Sequence, residues 1–202
     1  MEGADMARRR KGFTLVELLA VIAIIGILAG FIFAAVSSAI QRGKITATKS
    51  TIHNLGIALT SYERDLGSFE AKLKNVPDFP TGVVQDNPSG NPNNGKLLVR
   101  LLSGRAIKPD GTLGAVDKDI REDPNWNGPY WDPNQKELLH KDATKRGAPV
   151  DSWGNFLLIT IKKGSYDQTG QMEHKPDSFE IYSCGPNEID DKGQKDDIAN
   201  WE

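Results

Sequence analysis

The sequence predicts an α+β protein in which one long N-terminal helix, half membrane-spanning and half amphipathic, packs on a small antiparallel β-sheet with long loops. Three observations predict this fold class. Residues Leu18–Val36 contain no polar or charged side chain, residues 45–66 carry an apolar stripe of helical period, and two β-type runs lie near the C-terminus. The rest of the 202-residue chain is polar, so the mean hydropathy is −0.44, and the length allows one modest domain beyond the apolar run.

The apolar run has the length of a membrane span. Its 19 residues, at 1.5 Å each, extend about 28 Å, close to the ~30 Å hydrocarbon core. The basic stretch Arg8–Lys11 precedes it and is expected to stay in the cytoplasm, with the body on the far side. A secretory signal peptide has a shorter apolar core and a small-residue cleavage site. A plain signal anchor fits better, but it leaves Gly12–Glu17 unexplained.

The second half of the predicted helix is amphipathic. No proline interrupts the chain before Pro77, so the pattern predicts one helix from Phe13 to about Asp65, with Gly67 as its C-cap. A coiled-coil partner remains the alternative to packing on the chain's own domain. The stripe steps alternately by three and four residues: Ile45, Thr48, Ile52, Leu55, Leu59, Tyr62 and Leu66.

The remaining chain predicts a small domain rich in loops. Residues 75–150 are rich in Pro, Gly and Asn, which interrupt regular structure. The runs Phe156–Ile161 and Phe179–Ser183 predict two strands that pair antiparallel on the helix stripe. Shorter features are two helices, at Leu97–Leu102 and Gln135–Lys141, and an aromatic turn at Asn127–Trp131. The predicted division is 1–12, 13–40, 41–66 and 67–202, with an acidic C-terminal loop at 184–201.

The acidic loop is a candidate cation site. Residues 185–197 hold five carboxylates against two lysines, and crowded oxygen ligands in an irregular loop suit calcium. The alternating spacing of an EF-hand is missing, and a solvated acidic loop is the competing interpretation. Cys184 is the single cysteine, so no intrachain disulfide can close this loop, and we expect a small buried side chain rather than a reactive thiol.

The head of the apolar run resembles the class III leader of type IV pilins and pseudopilins. The resemblance rests on Lys11-Gly12 followed by Phe13-Thr14-Leu15-Val16-Glu17. It implies that a prepilin peptidase cuts after Gly12, that the new amine of Phe13 is methylated, and that residues 1–12 form the leader, unless Met6 is the true start.

Glu17 has a physical argument of its own beside this resemblance. A carboxylate at the N-terminal end of an apolar helix needs a partner, either the lipid headgroups or an amine. The family resemblance implies that Glu17 neutralises the Phe13 amine of a neighbouring subunit during assembly.

Four C-terminal motifs extend the resemblance to the major pseudopilin of type II secretion systems. They are Gly128-Pro129-Tyr130, Asp151 to Asn155, Tyr182 to Asn187, and Asp196 to Trp201, in that order. The resemblance implies a type IV pilin-like fold and a calcium ion in the loop. Asn187 stands where the family has its first carboxylate ligand, which is expected to weaken binding. The implied ligand set is the Cys184 carbonyl, Asn187, Asp190, Asp191, Asp196 and Asp197.

The expected function is structural. Catalytic patterns are poor: Gly90–Lys96 resembles a P-loop, but Leu97 replaces the required Ser or Thr and Pro92 interrupts it. A net charge of −2 does not indicate a nucleic-acid partner. We therefore expect no enzyme, and the family resemblance implies a subunit of a periplasmic pseudopilus that drives protein secretion. The alternatives are a type IV pilin for adhesion or motility, and a membrane-anchored domain that does not polymerise.

The resemblance also implies a location and partners. The chain is expected in the inner membrane as a single-pass protein, with its soluble domain in the periplasm, and in a filament after assembly. The implied partners are further copies of the chain, the prepilin peptidase, the inner-membrane assembly platform and its ATPase, minor pseudopilins, the outer-membrane secretin and membrane lipid.

Overall fold

The computed structural model describes residues 13–67, 69, 82–85, 91–161, 174 and 178–201. The chain forms two compact units, Met1–Gln41 and Arg42–Glu202. The leader predicted at 1–12, including Gly12, lies outside the described residues.

Helix α1 runs from Leu15 to Leu66, 52 residues, and confirms the predicted long helix. It ends where Gly67 adopts a φ of 80° and donates its N–H to the carbonyl of Glu63 at 2.7 Å. Glycine adopts this left-handed conformation without the steric cost that a Cβ brings, so the predicted C-cap is confirmed.

The predicted stripe of α1 is the buried face of the second unit. Ile52, Leu55, Leu59 and Tyr62 are buried in the main hydrophobic core. Thr48 is also fully buried, and the stripe ends, Ile45 and Leu66, are partly buried against the same core. The 3.6-residue period places these side chains on one face, and burying them removes that face from water.

The main sheet has four antiparallel strands in the order β1-β4-β5-β6. The predicted pair is its centre: Leu158 lies opposite Tyr182, and Ile161 lies opposite Phe179. Strand β4 begins two residues later than predicted, because Phe156 instead forms an isolated bridge with Val150. The strands are β1 Gly82–Gln85, β4 Leu158–Ile161, β5 Phe179–Ser183 and β6 Ile198–Ala199.

A second, two-stranded sheet and several short helices complete the domain. β2 (Arg105–Ile107) pairs antiparallel with β3 (Leu113–Val116). Helix α2 covers Asn93–Ser103, longer than the predicted Leu97–Leu102, and α3 covers Lys118–Arg121. Two 3₁₀ helices follow, at Gln135–Leu138 and Ala143–Lys145.

The helix predicted at Gln135–Lys141 is a shorter 3₁₀ turn that ends at Leu138. The backbone N–H of Lys141 donates to the carbonyl of Gly154 at 2.9 Å, so this amide has its partner in another segment. The aromatic turn packs as predicted. Trp131 is buried in the core, and the ring of Tyr130 meets that of Tyr62 edge-on at 5.4 Å.

Candidate functional site

The first turn of α1 is capped by reciprocal hydrogen bonds between Thr14 and Glu17. The backbone N–H and the hydroxyl of Thr14 donate to Glu17 Oε2, at 2.9 and 2.8 Å. The backbone N–H of Glu17 donates in return to the Thr14 hydroxyl at 3.2 Å. This is a capping box, which satisfies helix amides that have no partner in the first turn.

The capping role of Thr14 is a feature that the sequence interpretation missed. Its signal is present, because Thr-x-x-Glu directly before an apolar run is the capping-box pattern. Glu17 therefore has a local structural role in addition to the predicted pairing with an amine. Phe13, the predicted mature N-terminal residue, precedes the cap and is exposed.

The apolar part of α1 presents its side chains outward. The large apolar residues from Leu15 to Val36 are 44–77% exposed in the isolated chain. An 18-residue window of this helix has a mean hydropathy of 2.9, so it is long and apolar enough to cross a membrane. Such a continuous apolar surface needs lipid or a partner. The chain is a membrane-anchored protein with a soluble domain.

The C-terminal loop begins at Cys184, directly after β5. Cys184 is fully buried, and burial raises the pKa of its thiol to about 12. A protonated, buried thiol is a poor nucleophile, so the prediction of a buried apolar side chain is confirmed. The carbonyl of this residue, rather than its sulfur, is the predicted ligand.

Asp197 is the buried carboxylate of the loop, only 3% exposed. Its Oδ2 accepts hydrogen bonds from the backbone N–H groups of Asp191 at 3.1 Å and Gly193 at 2.8 Å. Its Oδ1 is buried and has no hydrogen-bond partner among the described residues. Burial raises the pKa of this carboxyl, and the nearby carboxylates of Asp190 and Asp191 raise it further.

Asn187 joins two other predicted ligands. Its amide Nδ2 donates to Asp191 Oδ2 at 3.2 Å and to Asp196 Oδ1 at 2.6 Å. Its backbone N–H donates to Asp196 Oδ2 at 3.0 Å. The structure therefore brings Asn187, Asp191 and Asp196 together across the loop.

Two lysines of the loop each bind one further carboxylate oxygen. Lys192 Nζ lies 2.6 Å from Asp190 Oδ2, and Lys195 Nζ lies 2.5 Å from Asp191 Oδ1. Asp190 Oδ1 also accepts from the Tyr182 hydroxyl at 3.1 Å. In the described part of the chain, no three His, Cys, Asp or Glu side chains are arranged as a metal cluster.

A buried network fastens the start of the loop to the turn at residues 151–155. The Ser183 hydroxyl donates to Asp151 Oδ2 at 2.7 Å, while Asp151 Oδ1 accepts from the backbone N–H groups of Trp153 and Asn155. Asn155 Nδ2 donates to Glu188 Oε2 at 3.2 Å. The sequence motifs Asp151 to Asn155 and Tyr182 to Asn187 include residues of this network, but no sequence pattern predicted that the two segments contact each other.

Comparisons with known proteins match the N-terminal motif and most of the length of the chain. The family described as "Prokaryotic N-terminal methylation motif" matches residues 7–33. The type II secretion system core protein G of Pseudomonas aeruginosa is 25% identical over 198 residues, covering 96% of this chain and 97% of that protein. The type IV major fimbrial protein FimA of Dichelobacter nodosus is 32% identical over 171 residues, covering 85% and 93%. No solved structure matches significantly. The exposed apolar helix, its N-terminal motif and these full-length similarities establish that the chain belongs to the type IV pilin family of pilins and pseudopilins.

Proposed function

We propose that the chain is the structural subunit of a periplasmic pseudopilus that drives protein secretion through an outer-membrane secretin. The observation that carries this proposal is the similarity to a type II secretion core protein over 96% of this chain and 97% of that protein. The relatives are structural pilin and pseudopilin subunits rather than enzymes. We propose the same for this chain, with the energy for assembly supplied by a cytoplasmic ATPase.

Maturation starts at the head of α1 in this proposal. The prepilin peptidase cuts after Gly12, the amine of Phe13 is methylated, and the basic leader is lost. The match of the methylation-motif family to residues 7–33 supports this step. Glu17, held in the first turn by Thr14, then accepts the amine of a neighbouring subunit.

Self-assembly follows from the exposed apolar surface of α1 in this proposal. Each square ångström of apolar surface taken from water contributes roughly 25 cal/mol, so helices that leave the lipid must pack on one another. The inner-membrane platform, minor pseudopilins and secretin are the partners that a pseudopilus requires. Before assembly the subunit resides in the inner membrane, with its soluble domain in the periplasm.

Mass spectrometry of the mature N-terminus tests the processing step. The expected product starts at methylated Phe13, and a chain that retains Arg8–Lys11 would overturn the filament proposal. A host strain that lacks this chain tests the role. Loss of exoprotein secretion with unchanged surface pili and motility supports a pseudopilus.

A type IV pilin is the second candidate function. The specific observation for it is the higher identity, 32%, to a major fimbrial protein. The single, buried Cys184 weighs against it, because a C-terminal disulfide often marks pilins and this chain cannot form one. Loss of surface pili and motility with normal secretion in the same strain would favour the pilin.

We also propose that the C-terminal loop binds calcium. Asp197 Oδ1, which has no partner among the described residues, fits this proposal, because a buried carboxylate oxygen without a donor needs a compensating positive charge. The residues that would hold the ion are the Cys184 carbonyl, Asn187, Asp190, Asp191, Asp196 and Asp197. Calcium would supply a divalent positive charge that ties both ends of the loop.

Thermal unfolding of the full chain in detergent micelles tests the calcium proposal. We expect the Tm to rise with calcium and to return to its starting value with a chelator, because a ligand that binds only the folded state stabilises it. Magnesium is the control ion, since it requires stricter octahedral geometry. A Tm that is insensitive to calcium would refute the proposed site.

A further inference from the structure

The loop contains its own cations at the proposed calcium site. Lys192 and Lys195 each place an ammonium group on a loop carboxylate, at 2.6 Å from Asp190 and 2.5 Å from Asp191. Both lysine side chains are highly exposed, 76% and 74%, whereas the two aspartates are only 21% and 13% exposed. The positive charges therefore lie on the solvent side of carboxylates that face the loop.

The backbone of the loop supports these contacts. Lys192 and Lys195 both adopt a positive φ, 61° and 54°, which L-residues with a Cβ rarely adopt. Such conformations persist only where surrounding contacts hold them. In this loop conformation the same two residues also form the ion pairs with Asp190 and Asp191.

Asn187 is a third group that binds the loop carboxylates, as a hydrogen-bond donor without a net charge. Its Nδ2 hydrogens point at Asp191 and Asp196 together, and its backbone N–H binds Asp196 as well. A carboxylate at this position would repel both neighbours. The amide therefore brings the two ends of the loop together without a metal ion.

We propose that Lys195, Lys192 and Asn187 hold the loop closed in the absence of calcium and compete with calcium for the loop carboxylates. This inference rests on the calcium site proposed above and concerns its affinity. An ion that takes Asp191 must displace the ammonium of Lys195, and an ion that takes Asp190 must displace that of Lys192. The subunit consequently keeps a closed loop when calcium is scarce and responds to calcium less than a chain without these groups.

The buried Asp197 is bound differently from Asp190 and Asp191. Neither lysine is paired with it in the described structure; it accepts only backbone N–H groups, and its second oxygen has no partner there. The ion pairs therefore balance the charges of Asp190 and Asp191, while no lysine of the described residues forms an ion pair with Asp197.

Three single variants of the full chain in detergent micelles test the inference. Lys195→Gln removes one competing charge and keeps a similar side-chain length. Glutamine also has the same Cβ, so the steric cost of the positive φ is unchanged. Asn187→Asp replaces the neutral bridge by a carboxylate. Lys49→Gln is the matched control, because Lys49 is an exposed helical lysine outside the loop. The readouts are Tm in chelator at low and high salt, and the calcium concentration that gives half of the Tm increase.

We expect Lys195→Gln to melt lower than the wild type in chelator at low salt, with a smaller difference at high salt, because salt screens exposed ion pairs. Its half-saturating calcium concentration should fall about two- to fivefold, the range that a surface ion pair supports. Asn187→Asp should melt lower in chelator and show a larger calcium response. Lys49→Gln should match the wild type in each measurement.

The outcomes separate this inference from the calcium proposal. A calcium response of the same size and midpoint in the wild type and Lys195→Gln overturns the competition but leaves the calcium site intact. No response in any variant, Asn187→Asp included, refutes the calcium site and the competition with it. A response confined to Lys195→Gln and Asn187→Asp supports the competition, because the resident groups then exclude the ion, but it refutes calcium binding by the wild-type chain.

Discussion

Replacing Gly185 by alanine should open the C-terminal loop. Gly185 directly follows the buried Cys184 and has a φ of 61°. A Cβ built at this position would clash with the backbone carbonyl oxygen of Asp196 and would lie 2.9 Å from its carbonyl carbon. Both partners of this contact are backbone, so no side-chain rotation relieves it. The two ends of the loop must move apart.

The expected cost has two parts. The left-handed conformation costs an alanine about 1–2 kcal/mol. The separation also weakens the two hydrogen bonds from Asn187 to Asp196, at 2.6 and 3.0 Å, each of which contributes about 1 kcal/mol or less. A total of about 3 kcal/mol corresponds to a fall in Tm of about 6–12 °C for a domain of this size.

Tryptophan fluorescence during thermal unfolding of the full chain in detergent measures this effect. All four tryptophans lie between residues 126 and 201, so the signal reports the soluble domain. Gly43→Ala is the control, because a Cβ there would meet no atom within 4 Å apart from its chain neighbours and its own helix backbone. Alanine also favours a helix over glycine by about 1 kcal/mol. A Tm of Gly185→Ala within about 2 °C of the wild type would refute the reasoning.

Two further predictions concern Glu17 and Asp151. Glu17→Gln keeps a residue that can complete the capping box but removes the charge, so cross-linked filament yield should fall; Thr14→Ala, which keeps the charge, should assemble. Equal yields from both variants would contradict the pairing role. Burial raises the pKa of Asp151 above its ordinary 3.8. Between pH 3.8 and the folded pKa, the Asp151 carboxyl therefore keeps a proton in the folded chain that it releases in the unfolded chain. This contribution to the free energy of unfolding falls as pH rises from 3.8 through the folded pKa. Asp151→Asn should lessen that decline in pH-dependent melts, and an unchanged profile would contradict it.

Local patterns predicted the regular elements. The α1 stripe and its end at Gly67 follow from side-chain period and glycine geometry, which depend on neighbouring residues alone. Strand β5 was predicted with its observed bounds, because Phe179–Ser183 is a run of β-forming residues. The strands β1, β2, β3 and β6 were missed, since each has two to four residues and takes its stability from its partner strand.

By itself, the sequence determined the membrane-length helix, the motif Gly12–Glu17 at its N-terminal end and the composition of the acidic loop, because these depend on residue type and short spacing. Only the tertiary structure decided how the loop carboxylates are used. It pairs Asp151 with Ser183, 32 positions apart, and bridges Asp191 and Asp196 through Asn187. It also buries one oxygen of Asp197 without a partner in the part of the chain that the structure describes. Such contacts join residues that share no periodic pattern, so the order of amino acids alone does not reveal which carboxylate lacks a positive charge.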